Sequence, residues 1–477
     1  MSKSKSFLIN LAIMLVLFVV VSMLPPFGGI TEVGMKVLGA FVAIVYGWIV
    51  LDITYTSIIG FVLLGLTGLF TPLSALIAAF SNQTVLMTLI VGAFATGLSK
   101  LGVGELVVNF MLSRKIVVGH PWILVVMFCI IAGIFGLTNN ALLGFLLLFT
   151  IAGEMARSRG YEDKSMFMTF MFCIIIYCAT MFPGGYGAWL PIMIMFGGMY
   201  TAAVPVVISY AEFFILGLIF SVVFVALFCL IAKFVFRIDV SKFTLTEEDR
   251  LRYAANKAPK KAKIATVCLA VFIFLIVLPV FCNPSNPVIA FINNIGIIGW
   301  AIIFTGILAA LRDEEDKPLL DIVDMFASAP WAAIMLIAVT IPLGNAMSSA
   351  DVGIMATMIM YVQPIIASMG IIGMYIFVFV FLGVITQFTH NFVAGAIFLP
   401  LFGNIGVNIG ADPVVLFFVM FTALNASFAT PAASMNSGIL YGMKEVNTKW
   451  AYIFGWLTLA LVGLCIVLLW PLVNILL

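Results

Sequence analysis

Apolar segments as long as a bilayer is thick recur along the whole chain, and only one polar loop of any length, 238–263, interrupts them. A transmembrane helix needs about 20 apolar residues. Segments of that kind fall at 7–27, 31–51, 54–71, 84–100, 165–199, 205–236, 264–281, 294–311, 330–348, 412–443 and 449–475. Sixty-four per cent of the 477 residues are hydrophobic and 9% are charged, where a soluble domain carries about 25% charged residues. No soluble fold of this length buries so much apolar surface, so lipid is the expected solvent. A soluble enzyme, a nucleic-acid binder and a disulfide scaffold are excluded on that ground. The formal net charge of +2 supplies no strong field for an acidic partner. The seven cysteines have no CxxC spacing and lie in apolar runs, where they read as small core residues. The first run follows Met-Ser-Lys-Ser-Lys and meets Pro25-Pro26 instead of a small-residue cleavage site. A retained transmembrane helix is expected there, not a signal peptide.

Positive charge sets the orientation. With the N-terminus in the cytoplasm, 21 of the 22 Lys and Arg residues fall at the inner face and only Lys36 falls near the outer one. The C-terminus is then expected outside. The short loops suggest a multi-pass protein of a bacterial plasma membrane.

Two further apolar stretches, 118–156 and 370–403, are each too long for one crossing and carry a polar knot at the middle. Each is a candidate re-entrant hairpin of two half-helices, a form tolerated where protein or a water-filled cavity surrounds it. The charge map makes the first enter from inside and the second from outside. The first knot is Gly136-Leu-Thr-Asn-Asn-Ala141, the second Thr386-Gln-Phe-Thr-His-Asn-Phe392. Some 40 residues after each comes a break in a long apolar helix, Ala179-Thr-Met-Phe-Pro-Gly-Gly-Tyr-Gly187 and Ala429-Thr-Pro-Ala-Ala-Ser-Met-Asn-Ser-Gly438. Asn139 and Asn391 stand 252 positions apart, Ala179 and Ala429 250. One unit therefore recurs in opposite orientation, the pattern of secondary transporters with interrupted helices near the midplane. The predicted fold is an all-α polytopic membrane protein of about 11 transmembrane helices plus two opposed hairpins.

The breaks also suggest a ligand. Half-helices that begin inside the membrane aim free N–H groups and a positive dipole end at the cavity, which suits an anion. Unwound carbonyls and Asn or Thr oxygens suit a hard monovalent cation. No Lys or Arg lies at mid-membrane depth in this topology, so the anion is expected to be held by amides, hydroxyls, dipoles and co-bound cations. Pro183, Gly184, Gly185 and Gly187 would expose backbone amides, though glycines can also merely loosen a helix.

At these residues the chain resembles the divalent anion/sodium symporter family of the ion-transporter superfamily, the sodium-coupled dicarboxylate, citrate and sulfate transporters. In that family each hairpin tip carries Ser-Asn-Thr; here the tips are Thr138-Asn139-Asn140 and His390-Asn391-Phe392. The Thr386-Gln387-Phe388 lead-in resembles the family's Thr-Glu-Phe. Ala429-Thr430-Pro431 with Asn436 and Ile439-Leu-Tyr-Gly442 resembles its Ala-Thr-Pro-Pro-Asn helix break. Val91-Gly-Ala-Phe94 through Gly102 resembles the span before its first hairpin.

The resemblance implies a homodimeric elevator transporter. It places a scaffold at 1–103 and 264–350, and a transport domain at 104–237 and 351–477. Arm helices near 104–113 and 351–365 and a cytoplasmic linker, 238–263, connect them. It implies substrate contacts at Asn139, Asn140, Gly184, Gly185, Asn391, Thr430, Pro431 and Ser434. A coupling cation, Na+ or H+, is expected at Thr138, Asn139, Thr386, Thr389, Asn391 and Ala429, with no other cofactor. Two positions depart from the pattern. Phe392 cannot donate a hydrogen bond where the family has Thr, and His390 replaces Ser. A cationic imidazole there could stand in for a sodium ion, giving proton coupling or sodium-independent exchange.

Plainer readings stand beside these. Asn139 and Asn391 can be simple helix caps. His390 can be a packed neutral histidine, and His120 reads as structural. Glu154 reads as a local partner of Arg157, and Glu212 as interfacial. Rival functions have weaker support. A cation/proton antiporter would need buried mid-membrane carboxylates. A membrane-embedded transferase would need paired carboxylates for Mg2+, and the acidic run Asp313-Glu-Glu-Asp316 reads as a solvated loop. A channel fits poorly with occluding broken helices, and no GxxxxGK[ST] motif is present to drive a pump. The expectation is a secondary transporter of a small anion, a di- or tricarboxylate foremost, and not an enzyme.

Overall fold

The structure is a computed structural model that describes residues 3–138, 141–181, 184–187, 190–256, 259–283, 285–313 and 315–477. The chain is a succession of helices. The first six are α1 (Lys3–Ser22), α2 (Glu32–Val50), α3 (Ile53–Gly65), α4 (Pro72–Phe80), α5 (Gln83–Lys100) and α6 (Val103–Leu112). The next six are α7 (Pro121–Leu137), α8 (Ala141–Ser158), α9 (Met166–Thr180), α10 (Pro191–Thr201), α11 (Tyr210–Phe234) and α12 (Glu247–Ala255). They are followed by α13 (Lys260–Val277), α14 (Pro287–Ala310), α15 (Ile322–Ala327), α16 (Trp331–Ser348), α17 (Ile354–Ala367) and α18 (Gly370–Ile385). The last five are α19 (Asn391–Asn408), α20 (Pro413–Asn425), α21 (Met435–Gly442), α22 (Thr448–Leu468) and α23 (Trp470–Leu476). Among the described residues there is no strand, only the isolated bridges Val118–Leu245 and Arg312–Pro318. Helices satisfy their own backbone groups, which lipid cannot do.

By length and composition, 8 helices among the described residues can cross a membrane, or up to 10 if each of two bent pairs is one span. The protein is thus an all-helical, multi-pass membrane protein. The pairs are α4–α5, bent by 61°, and α17–α18, bent by 112°. The second bend turns on Gly370, whose φ of +68° disfavours any side chain.

The chain divides into two compact units. The first comprises Met1–Leu89, Ile194–Ile208 and Pro330–Leu424. Here α1 packs along α2, and α16 packs on α3 through bare glycine: a Cβ on Gly60 would lie 2.8 Å from Val339 Cγ2. Helices α18 and α19 form the second hairpin, and phenylalanines zip its arms. Phe381 meets Phe398 at 5.0 Å and Phe377 meets Phe402 at 6.0 Å, both edge-on, the favoured aromatic geometry.

The second unit comprises Ile90–Met193, Ser209–Ala329 and Asn425–Leu477. Helices α7 and α8 form the first hairpin, drawn together where Gly144 bares its backbone to Phe135. Its second arm stacks on α9 through Phe149 and Phe172, 4.3 Å apart. Helix α9 is buried at every position from Phe167 to Ala179, so it reads as uniformly apolar and not amphipathic. Two of the passages from one unit to the other, at 193/194 and 424/425, fall in the two broken helices.

Some local expectations change. The span predicted at 54–71 stops at Gly65, and a separate helix α4 follows, started by Pro72 and a Thr71/Ser74 capping box. The polar loop 238–263 contains α12, whose Thr246 and Asp249 also form a capping box. Asp249 pairs with Arg159 at 3.0 Å, and Tyr161 donates to the Asp239 carbonyl at 3.0 Å, which ties this segment to the foot of the first hairpin. Arg157 pairs with Asp163 at 3.2 Å and Glu445 at 3.6 Å, not with Glu154. The reason is reach, since the chain turn after α8 and the loop after α21 bring both carboxylates to the guanidinium. In the acidic run, Asp313 accepts the N–H groups of Glu315 and Lys317, both at 2.9 Å, as a turn former does; Glu314 lies outside the described residues.

Candidate substrate and ion site

The second hairpin turn, in the first unit, is built from the ends of its two half-helices. Thr386 closes α18, His390 precedes α19, and Asn391 is the first residue of α19. Thr386 is fully buried and Asn391 is 4% exposed, yet neither Thr386 Oγ1 nor Asn391 Oδ1 has a hydrogen-bond partner. Leaving a buried polar atom unpaired costs about 1–3 kcal/mol. Two such oxygens within six residues make a place for something that binds oxygen. Gln387, fully buried, donates from Nε2 to the Gly383 carbonyl at 2.7 Å. The Thr389 N–H donates to the Ile385 carbonyl at 3.1 Å, and the residue is partly buried.

His390, not Asn391, takes the capping role at the start of α19. Its Nδ1 accepts the Phe392 N–H at 3.3 Å, and its carbonyl accepts Val393 and Ala394 at 2.9 and 3.1 Å. An accepting Nδ1 carries no proton, so the ring is not an imidazolium in this arrangement. Its ring lies 4.8 Å from that of Phe392.

The second helix break, in the second unit, runs from Asn425 to the start of α21. Ser434 caps α21: its hydroxyl accepts the Ser437 N–H at 3.2 Å and donates to the Ser427 carbonyl at 3.0 Å. Ser437 Oγ donates to the Thr430 carbonyl at 2.6 Å, and Tyr441 OH donates to the Ala429 carbonyl at 2.8 Å. Thr430 Oγ1 accepts the Ala432 N–H at 3.2 Å. Thr430 and Ser434 are buried, whereas Pro431 is exposed. Helix α22 supports the break from behind with Gly455.

The first break brings Gly184 and Gly185 into a single 3-10 turn, Gly184–Tyr186. Gly185 donates its N–H to the Met181 carbonyl at 3.2 Å, and Tyr186 packs into the bare face of Gly217 on α11. Asn425, at the end of α20, lies against Gly185: a Cβ there would stand 2.0 Å from Asn425 Nδ2. Pro183 lies outside the described residues.

At the first hairpin tip, Thr138 closes α7 and is 2% exposed, with its hydroxyl donating to the Phe135 carbonyl at 2.8 Å. Asn139 and Asn140 lie outside the described residues. Among the described residues no three His, Cys, Asp or Glu residues gather as a metal centre. The available donors are neutral hydroxyl, amide and carbonyl oxygens, a set that suits an alkali cation at a helix break. A cavity of about 470 Å³ near Lys260, Lys261, Arg312, Asp313 and Glu315 includes none of the predicted site residues.

The sequence reading missed Asn425 and gave Gln387 no role of its own. Asn425 sits four residues before the Ala-Thr of the second break, inside an apolar run. An Asn within a predicted span was a signal in itself, because intramembrane polar groups are costly.

Apolar helices of spanning length, helix pairs folded into hairpins, interrupted helices and unpaired polar atoms at their ends fit a multi-pass membrane transporter. Residues 38–423 match the family described as Citrate transporter, CitMHS, and the chain belongs to that family. It is therefore a member of the ion-transporter superfamily, in a family of transporters and not of enzymes, with a small anion as its solute and a lipid bilayer as its solvent. No curated protein matches the chain.

Proposed function

We propose that this protein is a secondary active transporter of citrate or a related di- or tricarboxylate, driven by a co-transported cation. The observation that carries the reading is the pair of buried, unpartnered oxygens, Thr386 Oγ1 and Asn391 Oδ1, in one turn between two apolar helices. A sodium ion, bound as in the divalent anion/sodium symporters, would satisfy both. It would also offset part of the charge of an anion that meets no Lys or Arg. Thr138, Asn139, Thr389 and Ala429 complete the proposed cation ligands. Asn140, Gly184, Gly185, Thr430, Pro431 and Ser434 join Asn139 and Asn391 at the substrate.

In this reading the transport domain, 104–237 and 351–477, moves as an elevator against a homodimeric scaffold, 1–103 and 264–350. The compact units are groupings by contact within one arrangement. A moving body is defined by what shifts between two arrangements, so the divisions need not coincide. The setting is a bacterial plasma membrane, with the N-terminus inside and the C-terminus outside.

The test is uptake into proteoliposomes of citrate, succinate or sulfate, with outside sodium and pH varied. Sodium-dependent uptake of a carboxylate supports the reading, and no uptake of any of the three overturns it. One observation favours a second coupling mode. His390 caps α19 through an unprotonated Nδ1, so protonation would break that bond and place a cation in the turn. Proton-coupled symport or sodium-independent exchange would then replace sodium coupling. Uptake that needs only a pH gradient or internal counter-substrate would select it.

A further inference from the structure

We infer that Asn425 is a substrate-binding residue, whose side-chain amide donates a hydrogen bond to an oxygen of the transported anion beside the Gly184–Gly185 turn. The inference rests on the carboxylate-transport reading above and adds a residue that neither the repeat nor the motif resemblance supplied. Asn425 is 3% exposed, and its Nδ2 has no hydrogen-bond partner. A buried donor that is left unmade costs the folded protein stability, so a group that persists there is explained by an acceptor that arrives later.

The surroundings say what kind of acceptor. Nδ2 rests on the bare Cα of Gly185. The Thr180 carbonyl is 3.3 Å from the point where a Cβ on Gly185 would sit, yet Asn425 makes no bond to it. Asn425 is the last residue of α20, and a helix C-terminus presents acceptors and the negative end of its dipole. That end lacks donors for an anion, and the Asn425 amide adds one without burying a charge.

The experiment compares full-length wild type, Asn425→Leu and Asn425→Asp in detergent and in proteoliposomes. Each is unfolded by heat with and without citrate, succinate or sulfate, and uptake of the same anions is measured. The Leu variant keeps the volume and removes the unmade donor. It is expected to unfold at the wild-type temperature or above without ligand, to lose the stabilisation by substrate, and to raise KM about tenfold or more. The Asp variant is expected to lose substrate stabilisation as well, by repulsion.

A Leu variant that unfolds below wild type in the absence of ligand overturns the inference, because the amide is then structural. Retention of the wild-type substrate response by either variant overturns it too, as does tighter cation binding by the Asp variant. Wild type reports separately on the parent reading: if it responds to none of the three anions, both fall, whereas a wild-type response that both variants share removes only Asn425.

Discussion

Gly455 of α22 lies against the backbone of Ala429 in the second helix break. A Cβ on residue 455 would stand 2.5 Å from the Ala429 Cα, 2.6 Å from the Phe428 carbonyl oxygen and 2.8 Å from the Ala429 nitrogen. The obstacle is backbone and cannot swing aside as a side chain can. Gly455→Ala is expected to destabilise the protein by about 1–3 kcal/mol and to slow uptake by pushing the break out of register. Gly442, at the end of α21, has nothing within 4 Å of its Cβ position. Gly442→Ala is the control and should leave both thermal unfolding and uptake near wild type. Equal behaviour of the two variants would show that the break tolerates movement.

Thr386→Ala and Asn391→Ala remove oxygens that bond to nothing in the folded protein. Neither should lower the unfolding temperature, and each should reduce cation-dependent uptake about tenfold or more, the value of a lost strong contact. Asn139→Ala, at the repeat-related tip, should do the same while leaving the protein folded. Wild-type uptake in any of the three would remove that residue from the site.

His390→Ser separates capping from coupling. Serine is a good N-cap, so α19 should stay intact. If the imidazole carries a coupling proton, the variant should lose the pH dependence of uptake while keeping its order of preference among citrate, succinate and sulfate. Unchanged dependence on both pH and sodium would leave His390 a structural cap.

The fold was legible in the sequence because lipid allows few solutions. Apolar runs of spanning length become helices, and a polar knot in an overlong run becomes a turn between half-helices. The turns between half-helices and both helix breaks therefore lie where the residues put them. Composition hid finer features. Helix α4 begins because Thr71, Pro72 and Ser74 cap it, in a segment that falls between two apolar runs of spanning length. Helix α12 hides in the polar loop because its start is a capping box and not an apolar period. At the site, sequence gave the residue types but not their bonding. Ser434 and Asn391 both looked like ligands, yet the Ser434 hydroxyl caps α21 while the Asn391 oxygen is unpaired. Asn425 escaped notice because the repeat drew attention to the Gly- and Pro-bearing breaks and away from the helix end beside them.

Asp249 gives a pH test that is independent of transport. Burial alone would raise its carboxyl pKa, but the hydroxyl and N–H of Thr246, with Arg159 and Arg252 nearby, outweigh it and hold the pKa below the usual value of 3.8. A carboxylate depressed in the folded state contributes stability above its unfolded pKa and loses it as pH falls through the folded one. The attachment of α12 should therefore be full at neutral pH and weaken below about pH 4. The Arg159–Asp249 pair is partly solvent-exposed, so it is worth under about 1 kcal/mol and its loss should be felt locally. Asp249→Asn should open the 238–263 segment to limited proteolysis at neutral pH while the unfolding temperature of the whole protein stays within a degree or two. A large fall in that temperature would mean that the segment braces the first hairpin as a whole, and unchanged proteolysis would mean that α12 is held by contacts other than its capping box and Arg159.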